Sequence, residues 1–340
     1  MASERIPVAV VTGFLGSGKT TLLNRLLRHP ALADTAVIVN ELGEIGLDHL
    51  LVVGGQDNVV LLNAGCLCCA MLDTFKDTLA DLSYKRARGE IPPFSRVVVE
   101  TTGLADPAPI LQSLLRDSFL SAYYKLGTVI TTVDAVLGLS ELDNHPEARK
   151  QAAVADRLIV TKTDLTGDAC PTELRARLVA LNATAQLDCG GADLAPDDLF
   201  VGSNMAVSTD RDHLHDDHHG HHHHADDIQA YSFRIEKPVT WSGLAGWIDF
   251  SKEFFGNKML RTKGILDVAG TGPVVLQGVQ TVFAPSQRLA TWPDADHGSR
   301  LVCIVQGVDT NILRQSLTIL HAEPGTHRPA SIAELMNTHH

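Results

Sequence analysis

The sequence is short of basic residues, and this shortage excludes several classes of protein. Lysine and arginine number 28 against 40 aspartates and glutamates, which gives a formal net charge of −12 at pH 7. Proteins whose main partner is a nucleic acid or an anionic membrane present a basic surface to it. We therefore expect neither nucleic acid nor membrane to be a partner of this chain.

Long apolar runs and a leader sequence are also missing. The sequence contains no uninterrupted apolar stretch of about 18 residues, so no transmembrane helix is expected. The residues from Met1 to Arg5 lead directly into an apolar stretch and show no signal-peptide pattern. These absences predict a cytoplasmic protein, whose thiols stay reduced.

Cysteine is scarce, and half of it is concentrated at one place. Three of the six cysteines stand in the short segment Cys66-Leu67-Cys68-Cys69. In a reducing compartment such a cluster predicts a metal site or a redox site and not a disulfide framework. Cys170, Cys189 and Cys303 are isolated in the sequence, and we expect them to be structural.

A complete phosphate-binding loop is present near the N-terminus. Residues 13–20 read GFLGSGKT, which satisfies the pattern G-x-x-x-x-G-K-T, and an apolar stretch from Ile6 to Val11 precedes them. Such a loop turns its backbone N–H groups toward one anion, and the following helix N-terminus adds partial positive charge. Lys19 is expected to reach the β- and γ-phosphates, and Thr20 to ligate Mg²⁺. The residues assigned to the nucleotide here are Gly13, Gly16, Ser17, Gly18, Lys19, Thr20 and Thr21.

Apolar runs of strand length alternate with helical patterns before the sequence changes character. The predicted strands are Val8–Val11, Ala36–Val39, Val59–Leu62, Arg96–Val99, Thr128–Val133 and Arg157–Val160. The predicted helices are Thr20–Arg28, Leu72–Ala87, Pro107–Leu115, Pro146–Ala153 and Thr172–Leu181. This alternation predicts an α/β fold with a mostly parallel sheet that helices cover on both faces.

A second domain is predicted beyond a histidine-rich segment. Residues 210–227 hold eight of the 16 histidines together with six aspartates, so they are expected to form a solvated linker. After it, strands are predicted at Ala230–Ile235, Leu260–Val268, Val274–Phe283 and Leu301–Val305, and helices at Ser242–Phe255 and Asn311–His321. That mixture predicts a small α+β domain. The expected boundaries are 1–209, 210–227 and 228–326, followed by a disordered tail at 327–340.

Two further motifs extend the predicted nucleotide site. An apolar strand ends in Glu100 and is followed by Gly103; in nucleotide hydrolases such a strand delivers an acid to the Mg²⁺ shell, and the glycine N–H meets the γ-phosphate. Residues 161–164, TKTD, are similar to the guanine-reading motif Asn-Lys-x-Asp, with threonine in place of asparagine. Asp164 can accept hydrogen bonds from guanine that adenine cannot offer, while Lys162 lies along the base plane. Guanine is therefore expected, with adenine as the alternative.

The remaining motifs favour a transition metal. Thiolates of Cys66, Cys68 and Cys69 suit Zn²⁺ or Cu⁺, and Co²⁺ when it is supplied, although buried apolar cysteines or a redox pair are alternatives. A fourth ligand could be a carboxylate such as Glu41, a histidine, water or a partner's side chain. Residues 40–48, NELGEIGLD, either contact Mg²⁺, a second metal or the attacking water, or form a solvated acidic loop. Weak accessory metal binding is expected at His213, His215, His218, His219, His221, His222, His223 and His224.

Taken together, the motifs resemble those of the CobW-like P-loop GTPases, a family of CobW proteins, nitrile hydratase activators and zinc-responsive metallochaperones. The matching segments, in the family's order, are GFLGSGKTT at 13–21, NELGEIGLD at 40–48, GCLCC at 65–69, ETTGLADP at 100–107 and TKTD at 161–164. The resemblance implies GTP hydrolysis coupled to metal delivery to a client metalloprotein, with nucleotide-dependent homodimers. By position, Lys19, Thr20 and Glu100 serve Mg-GTP, Lys162 and Asp164 serve the base, and the three clustered cysteines hold the metal. Glu41 joins either the Mg²⁺ or the metal site.

The resemblance leaves the metal and the function class open. The segment between Leu50 and Leu61 is short and lacks the cysteine-bearing insertion associated with CobW itself, which favours a zinc chaperone. The alternatives are a cobalt or iron chaperone for cobalamin synthesis or nitrile hydratase, a His-rich metal store, and a small-molecule kinase.

Overall fold

The computed structural model describes residues 5–39, 61–63, 71–167, 169–190, 195, 200 and 228–323. The chain divides into two compact units, Met1–Asn204 and Met205–His340. Four predicted features lie outside the described residues: the acidic segment 40–48, the cysteine motif 66–69, the histidine-rich segment 210–227 and the tail 327–340.

The first unit is built on a parallel sheet. Its strands are β1 (Ile6–Gly13), β2 (Thr35–Val39), β3 (Leu61–Asn63), β4 (Arg96–Glu100), β5 (Tyr124–Asp134), β6 (Arg157–Thr161) and β7 (Gln186–Cys189). They lie in the order β3-β2-β4-β1-β5-β6-β7, and every described pair is parallel. Val8, Val98 and Ile130 of the central strands are fully buried. These strands are continuous apolar runs because both faces of the sheet are covered. The predicted α/β fold is confirmed.

The helices of the first unit are α1 (Lys19–Leu27), α2 (Met71–Arg88), α3 (Ala108–Arg116), α4 (Ser118–Tyr123), α5 (Gly138–Asn144), α6 (Pro146–Val154) and α7 (Thr172–Leu181). The sequence did not predict α4 and α5. The Asp117 carboxylate accepts from the N–H groups of Phe119 and Leu120 at 2.9 and 3.0 Å, which caps α4. Among the described residues, no helix is both long and apolar enough to cross a membrane.

The second unit combines an antiparallel sheet with two helices, as predicted. Its elements are β8 (Ile228–Ile235), α8 (Trp241–Phe250), β9 (Met259–Val268), β10 (Gly272–Val279), β11 (Val282–Phe283), β12 (Gln287–Arg288), β13 (Ser299–Gln306) and α9 (Thr310–Ser316). The sheet runs β11-β10-β9-β13-β8, and β12 pairs with β10. Trp247 of α8 is fully buried in its core and donates a hydrogen bond to the Ser316 hydroxyl at 3.1 Å.

One strand predicted from the sequence needs correction. The single strand expected at Val274–Phe283 is a hairpin of β10 and β11, because Gln280 adopts a positive φ of 52° and turns the chain between Val279 and Val282. Cys170 and Cys189, which are far apart in the sequence, are close enough for their side chains to interact, whereas Cys303 is buried in the core of the second unit.

Candidate nucleotide site

The predicted nucleotide residues gather where the central strands of the first sheet end. Gly13, Glu100, Asp134 and Thr161 are the last residues of β1, β4, β5 and β6, which lie side by side. Because these strands are parallel, their carboxyl ends share one edge of the sheet. Open α/β sheets bind their ligands at such an edge.

The backbone of the phosphate loop requires its glycines. Gly13, Gly16 and Gly18 have φ values of 140°, 70° and 88°, which side-chain-bearing residues rarely adopt. A Cβ on Gly13 would lie 2.4 Å from the Thr132 carbonyl oxygen, so no larger residue fits there. Gly18 has no side chain to cap α1, and the first N–H groups of that helix therefore remain donors for an anion.

Lys19 lies across the loop that precedes it. Its ammonium donates to the carbonyl oxygens of Gly13 at 2.9 Å and Phe14 at 3.0 Å. Burial lowers the pKa of Lys19, while the charges of Glu100 and Glu141 act in the opposite direction. A phosphate at this loop would place negative charge beside the buried Lys19 ammonium and stabilise its charged form, so the site is suited to a polyanion.

Thr20 and Glu100 are brought together from positions far apart in the sequence. The Thr20 hydroxyl donates to Glu100 Oε1 at 2.7 Å, and Glu100 is only 4% exposed. A hydroxyl and a carboxylate at the mouth of a phosphate loop are hard oxygen donors of the kind that Mg²⁺ takes. The residues present therefore fit the predicted Mg²⁺ site.

Gly103 lies directly against the phosphate loop. A Cβ at this position would come within 2.7 Å of the Leu15 backbone nitrogen. The buried Gln151 side chain of α6 positions this segment, because its amide group donates to the carbonyl oxygens of Gly103 and Ala105, at 3.0 Å each. The sequence did not identify Gln151, whose position inside a helical pattern carries no signal of this contact.

Thr161 accounts for the departure from the guanine-reading pattern. Its hydroxyl donates to the Ser17 carbonyl oxygen at 2.7 Å and to the Val133 carbonyl oxygen at 3.2 Å. The end of β6 is thereby tied to the phosphate loop. At this position a hydroxyl replaces the amide of the pattern, and it joins the phosphate loop to the segment 161–164.

Lys162 and Asp164 follow in a short turn. Lys162 has a positive φ of 56°, which is unusual for a residue with a side chain, and Asp164 is exposed in the 3₁₀ turn Thr163–Thr166. The Lys162 ammonium lies 2.6 Å from Asp134 Oδ2. The sequence reasoning missed this aspartate, although its position at the end of a buried strand is the same signal that identified Glu100.

Asp134 is held by three donors. Its Oδ1 accepts from the N–H groups of Val136 and Leu137, at 2.7 and 3.1 Å, while Oδ2 takes Lys162. Burial acts to raise the pKa of Asp134, but the hydrogen bonds and the Lys162 charge outweigh it, and the pKa is lowered. A charged carboxylate fixed in this way gives Lys162 a defined direction.

A small cavity beside the loop contains a second missed carboxylate. Phe14, Thr132, Glu141 and Gln151 contribute to its lining. Burial and the nearby Asp134 charge raise the pKa of Glu141, although Lys162, His145 and Lys19 act against them. The Phe14 ring stacks on His145 with 4.5 Å between centroids, which holds the start of the loop against α6.

The predicted transition-metal ligands belong to segments outside the described residues. They are Cys66, Cys68, Cys69, Glu41 and the histidine tract. Within the part of the chain that the structure describes, no three or more His, Cys, Asp or Glu side chains group as a metal site. The cysteine site thus stays a prediction.

Comparison with protein families gives two matches along the chain. Residues 7–187 match the family model described as "CobW/HypB/UreG, nucleotide-binding domain". Residues 228–320 match the "Cobalamin synthesis protein cobW C-terminal domain".

Individual relatives match over most of their length. The zinc chaperone YjiA of Escherichia coli is 33% identical, across 88% of this chain and 93% of that protein. The zinc chaperone CobW of a Sinorhizobium species is 27% identical, across 93% of this chain and 97% of that protein. A crystal structure of Zn(II)-bound YjiA GTPase from E. coli superposes with a TM-score of 0.69 at 28% identity, covering 94% of this chain and all of that one.

Proposed function

Because the chain belongs to the CobW/HypB/UreG family of nucleotide-binding proteins, we propose that it is a GTP-hydrolysing metallochaperone that carries zinc to a client protein. One observation of the structure carries the proposal. A buried carboxylate, Glu100, is hydrogen-bonded to the threonine of a complete phosphate loop. That pairing belongs to a site built for hydrolysis of a nucleoside triphosphate and not merely for an anion.

The nucleotide roles follow from the edge of the sheet. Lys19 would leave the carbonyl oxygens of its own loop for the β- and γ-phosphates, and the N–H groups of the loop and of α1 would bind the remaining oxygens. Gly103, which lies against Leu15, would present its N–H to the γ-phosphate. Asp164, at the exposed turn after β6, would accept from guanine.

Thr20 and Glu100 would hold Mg²⁺, which when bound neutralises charge on the phosphates. Gln151 keeps the segment after Glu100 in place, so the same contacts that shape the γ-phosphate end also position Gly103. Lys19, Thr20 and Glu100 are thus the residues on which hydrolysis depends.

The zinc would be cargo bound by Cys66, Cys68 and Cys69, with Glu41 as a candidate fourth ligand. The register of the sheet supports coupling of this cargo to the nucleotide. Val39 pairs with both Glu100 and Asn63. β2 and β3 therefore end, at Val39 and Asn63, at the edge of the sheet where Glu100 lies. A γ-phosphate that orders the segment 40–48 would act beside the cysteines.

Zinc is favoured over cobalt because the relatives named above are described as zinc chaperones and the solved YjiA structure contains zinc. The histidines between His213 and His224 are an accessory, weaker metal-binding segment in this proposal. We place the protein in the cytoplasm.

A second copy of the chain is the proposed nucleotide-dependent partner besides the client. Leu15 of the phosphate loop, Leu104 after Gly103 and Leu165 after Asp164 are 52%, 47% and 67% exposed. Three exposed leucines around one ligand edge favour burial against another protein surface. Light scattering with a non-hydrolysable GTP analogue should give a dimer, and a Leu15→Ser/Leu165→Ser variant a monomer; an unchanged monomer in wild type would oppose the pairing.

Zinc release tests the proposed function directly. Protein loaded with one equivalent of Zn²⁺ is mixed with Mg-GTP or with a non-hydrolysable analogue in the presence of a chromogenic zinc chelator. We expect GTP to release the metal at the rate of phosphate production and the analogue to retain it. Glu100→Gln should slow both processes together by about a hundredfold, because the acid of the Mg²⁺ shell is lost.

Glu90→Gln is the matched control, since Glu90 is exposed and paired with Arg88 on the surface, away from the strand ends. It should leave both rates unchanged. Zinc release that is equally fast with GTP, with the analogue and without nucleotide would overturn the carrier function.

A further inference from the structure

Two cysteines that are far apart in the sequence meet next to the guanine-reading turn. Cys189 is the last residue of β7, in register with Val160 of β6, and Cys170 lies just before α7. Their side chains are close enough to interact, and the residues next to them, Ala169 and Gly190, both lie against the turn Thr163–Thr166. Neighbouring thiols are the starting arrangement for a disulfide, whose two sulfurs are bonded at about 2.05 Å.

The turn that contains Asp164 contacts the residues next to both cysteines, Ala169 and Gly190. The Thr166 hydroxyl donates to the carbonyl oxygens of Ala169 at 2.8 Å and Thr163 at 3.0 Å. On the other side, a Cβ built on Gly190 would lie 3.2 Å from the Thr163 hydroxyl oxygen. A disulfide between Cys170 and Cys189 would therefore connect the two chain segments that contact the turn Thr163–Thr166.

The two thiols differ in their surroundings. Cys189 is exposed and reachable by a small molecule, while Cys170 is partly buried. Burial, together with the hydrogen bond to Cys189, raises the pKa of Cys170 to about 12, and the nearby Arg175 charge acts against this rise. Cys189 is thus the thiol that reacts first, and Cys170 the one that completes the bond.

We propose that Cys170 and Cys189 form a dithiol modification site that exchanges with low-molecular-weight disulfides and closes an internal disulfide beside the guanine-reading turn. The Cys189 thiolate attacks one sulfur of the small disulfide, forms a mixed disulfide and releases one thiol. Cys170, after losing its proton to solvent, attacks Cys189 Sγ and releases the second thiol. The two cysteines are oxidised, and the small disulfide is reduced to two thiols.

A metal ion at this pair is less well supported than a disulfide. Among the described residues, no third His, Cys, Asp or Glu joins the two thiols in a metal-binding group. The positive charge of Arg175 close to Cys170 favours a thiolate but repels a metal cation. The observations therefore point to exchange chemistry.

The consequence for nucleotide affinity rests on the proposed function. In the present structure the turn is held by hydrogen bonds through Thr166, and a disulfide would add a covalent restraint beside it. Binding of guanine would then cost less ordering, and we expect the oxidised protein to bind GTP about two- to tenfold more tightly than the reduced protein.

The experiment uses the full chain equilibrated with oxidised and reduced glutathione at a series of ratios. Free thiols are alkylated, and tryptic peptides are identified by mass spectrometry, so that the cysteines of the 66–69 motif are scored separately. We expect a linked pair of peptides, 163–175 and 178–211, whose yield rises with the oxidised fraction of glutathione. GTP affinity is measured on the same samples.

Cys170→Ser and Cys189→Ser should each abolish the link and the dependence of GTP affinity on glutathione, whereas Cys303→Ser, in the core of the second unit, should retain both. Absence of the linked peptides at every ratio, or protection of the pair from alkylation by added Zn²⁺ alone, would overturn the site. A link that leaves GTP affinity unchanged would overturn its effect on the turn. Failure of GTP to bind in either redox state would contradict the proposed function and not the dithiol.

Discussion

At the scale of single residues, the site is organised by polar contacts between strand ends. Asp134 shows this most clearly, because its buried carboxylate accepts from two backbone N–H groups and from Lys162. Lys162 itself has a positive φ, so its backbone is restrained as well. The direction of the Lys162 side chain is thus set by Asp134.

Asp134→Asn tests this positioning. The amide retains an oxygen for Val136 and Leu137 but loses the charge that holds Lys162, so we expect GTP affinity to fall about tenfold. The ratio of GTP affinity to ATP affinity should also decrease. Affinity is measured by fluorescence of labelled nucleotides, alongside thermal melting to establish that the fold is intact.

Asp143→Asn is the matched control for that substitution. Asp143 forms a long, exposed ion pair with Arg177, 3.7 Å apart, whose loss should change neither affinity nor preference. Equal effects of the two variants would contradict the role given to Asp134.

Glu141 predicts a pH dependence of stability. Its pKa is raised above the ordinary value of 4.5 by burial and by the Asp134 charge, so the folded protein holds this proton more tightly than the unfolded chain. As the pH rises from 4.5 through the folded pKa, stability is lost. Glu141→Gln removes the ionisation, so the variant should melt at a higher temperature than wild type at neutral pH, and the difference should disappear below pH 4.5.

Melting temperatures measured from acid to neutral pH check this prediction, with the exposed Glu236→Gln in the second unit as the control. A difference between Glu141→Gln and wild type that is constant across this range, or that has the opposite sign, would show that ionisation of Glu141 is not the cause.

The residues of the phosphate loop could be predicted from the sequence because each performs its task through its own local conformation. Glycines at 13, 16 and 18 and a lysine at 19 form a pattern that is readable without a fold. Asp134, Glu141 and Gln151 could not be predicted in this way, since their partners lie on other elements. Asp134 still had one usable signal, a carboxylate at the end of a buried strand.

At the scale of elements, the close approach of two loops shapes the part of the site that is proposed to bind the γ-phosphate. The segment after β4 meets the phosphate loop at Gly103, where only a hydrogen atom fits beside the Leu15 backbone. Gln151 of α6 holds this segment from behind through two carbonyl oxygens. The phosphate loop, the segment after β4 and α6 therefore all contribute to the contact between Gly103 and Leu15.

Gly103→Ala should disrupt that contact. A methyl group 2.7 Å from the Leu15 nitrogen forces the two backbones apart, so we expect GTP affinity to fall by tenfold or more, with a loss of about 1–3 kcal/mol of stability. Denaturant unfolding and nucleotide titration measure the two effects.

Gly246→Ala in α8 provides the contrast within the same chain. Its new Cβ would meet Ile319 at an ordinary 3.4 Å, so the better helix propensity of alanine should stabilise the protein by about 0.5–1 kcal/mol and leave GTP affinity unchanged. If both glycine variants behaved alike, close packing at Gly103 would not be the reason for its presence.

Elements that the sequence predicted and those that it missed differ in what stabilises them. Long strands such as β1 and β5 are buried on both faces, so their continuous apolar runs can be recognised in the sequence. The helices α4 and α5 are short: α4 is capped by the Asp117 carboxylate, and α5 follows a turn in which the Asp134 carboxylate accepts from the N–H groups of Val136 and Leu137. The edge strand β7 is largely exposed, so its sequence carries little apolar signal.

At the scale of the whole molecule, two units with different sheets occur in one chain. The first has a parallel sheet with helices and the second an antiparallel sheet with its own core around Trp247. The sequence predicted this division from a change in composition at the histidine-rich segment. The pairing of Cys170 with Cys189 was beyond such reasoning, because it depends on the parallel alignment of β6 with β7.

The central claim is that nucleotide state controls the affinity for metal. It is tested most directly by an anaerobic competition titration of Zn²⁺ and Co²⁺ with and without Mg-GTP, on wild type and on a Cys66/Cys68/Cys69→Ser variant. The account predicts one tight zinc-preferring site that strengthens with Mg-GTP and is lost in the variant. Weak, multiple sites that ignore the nucleotide and persist in the variant would contradict it.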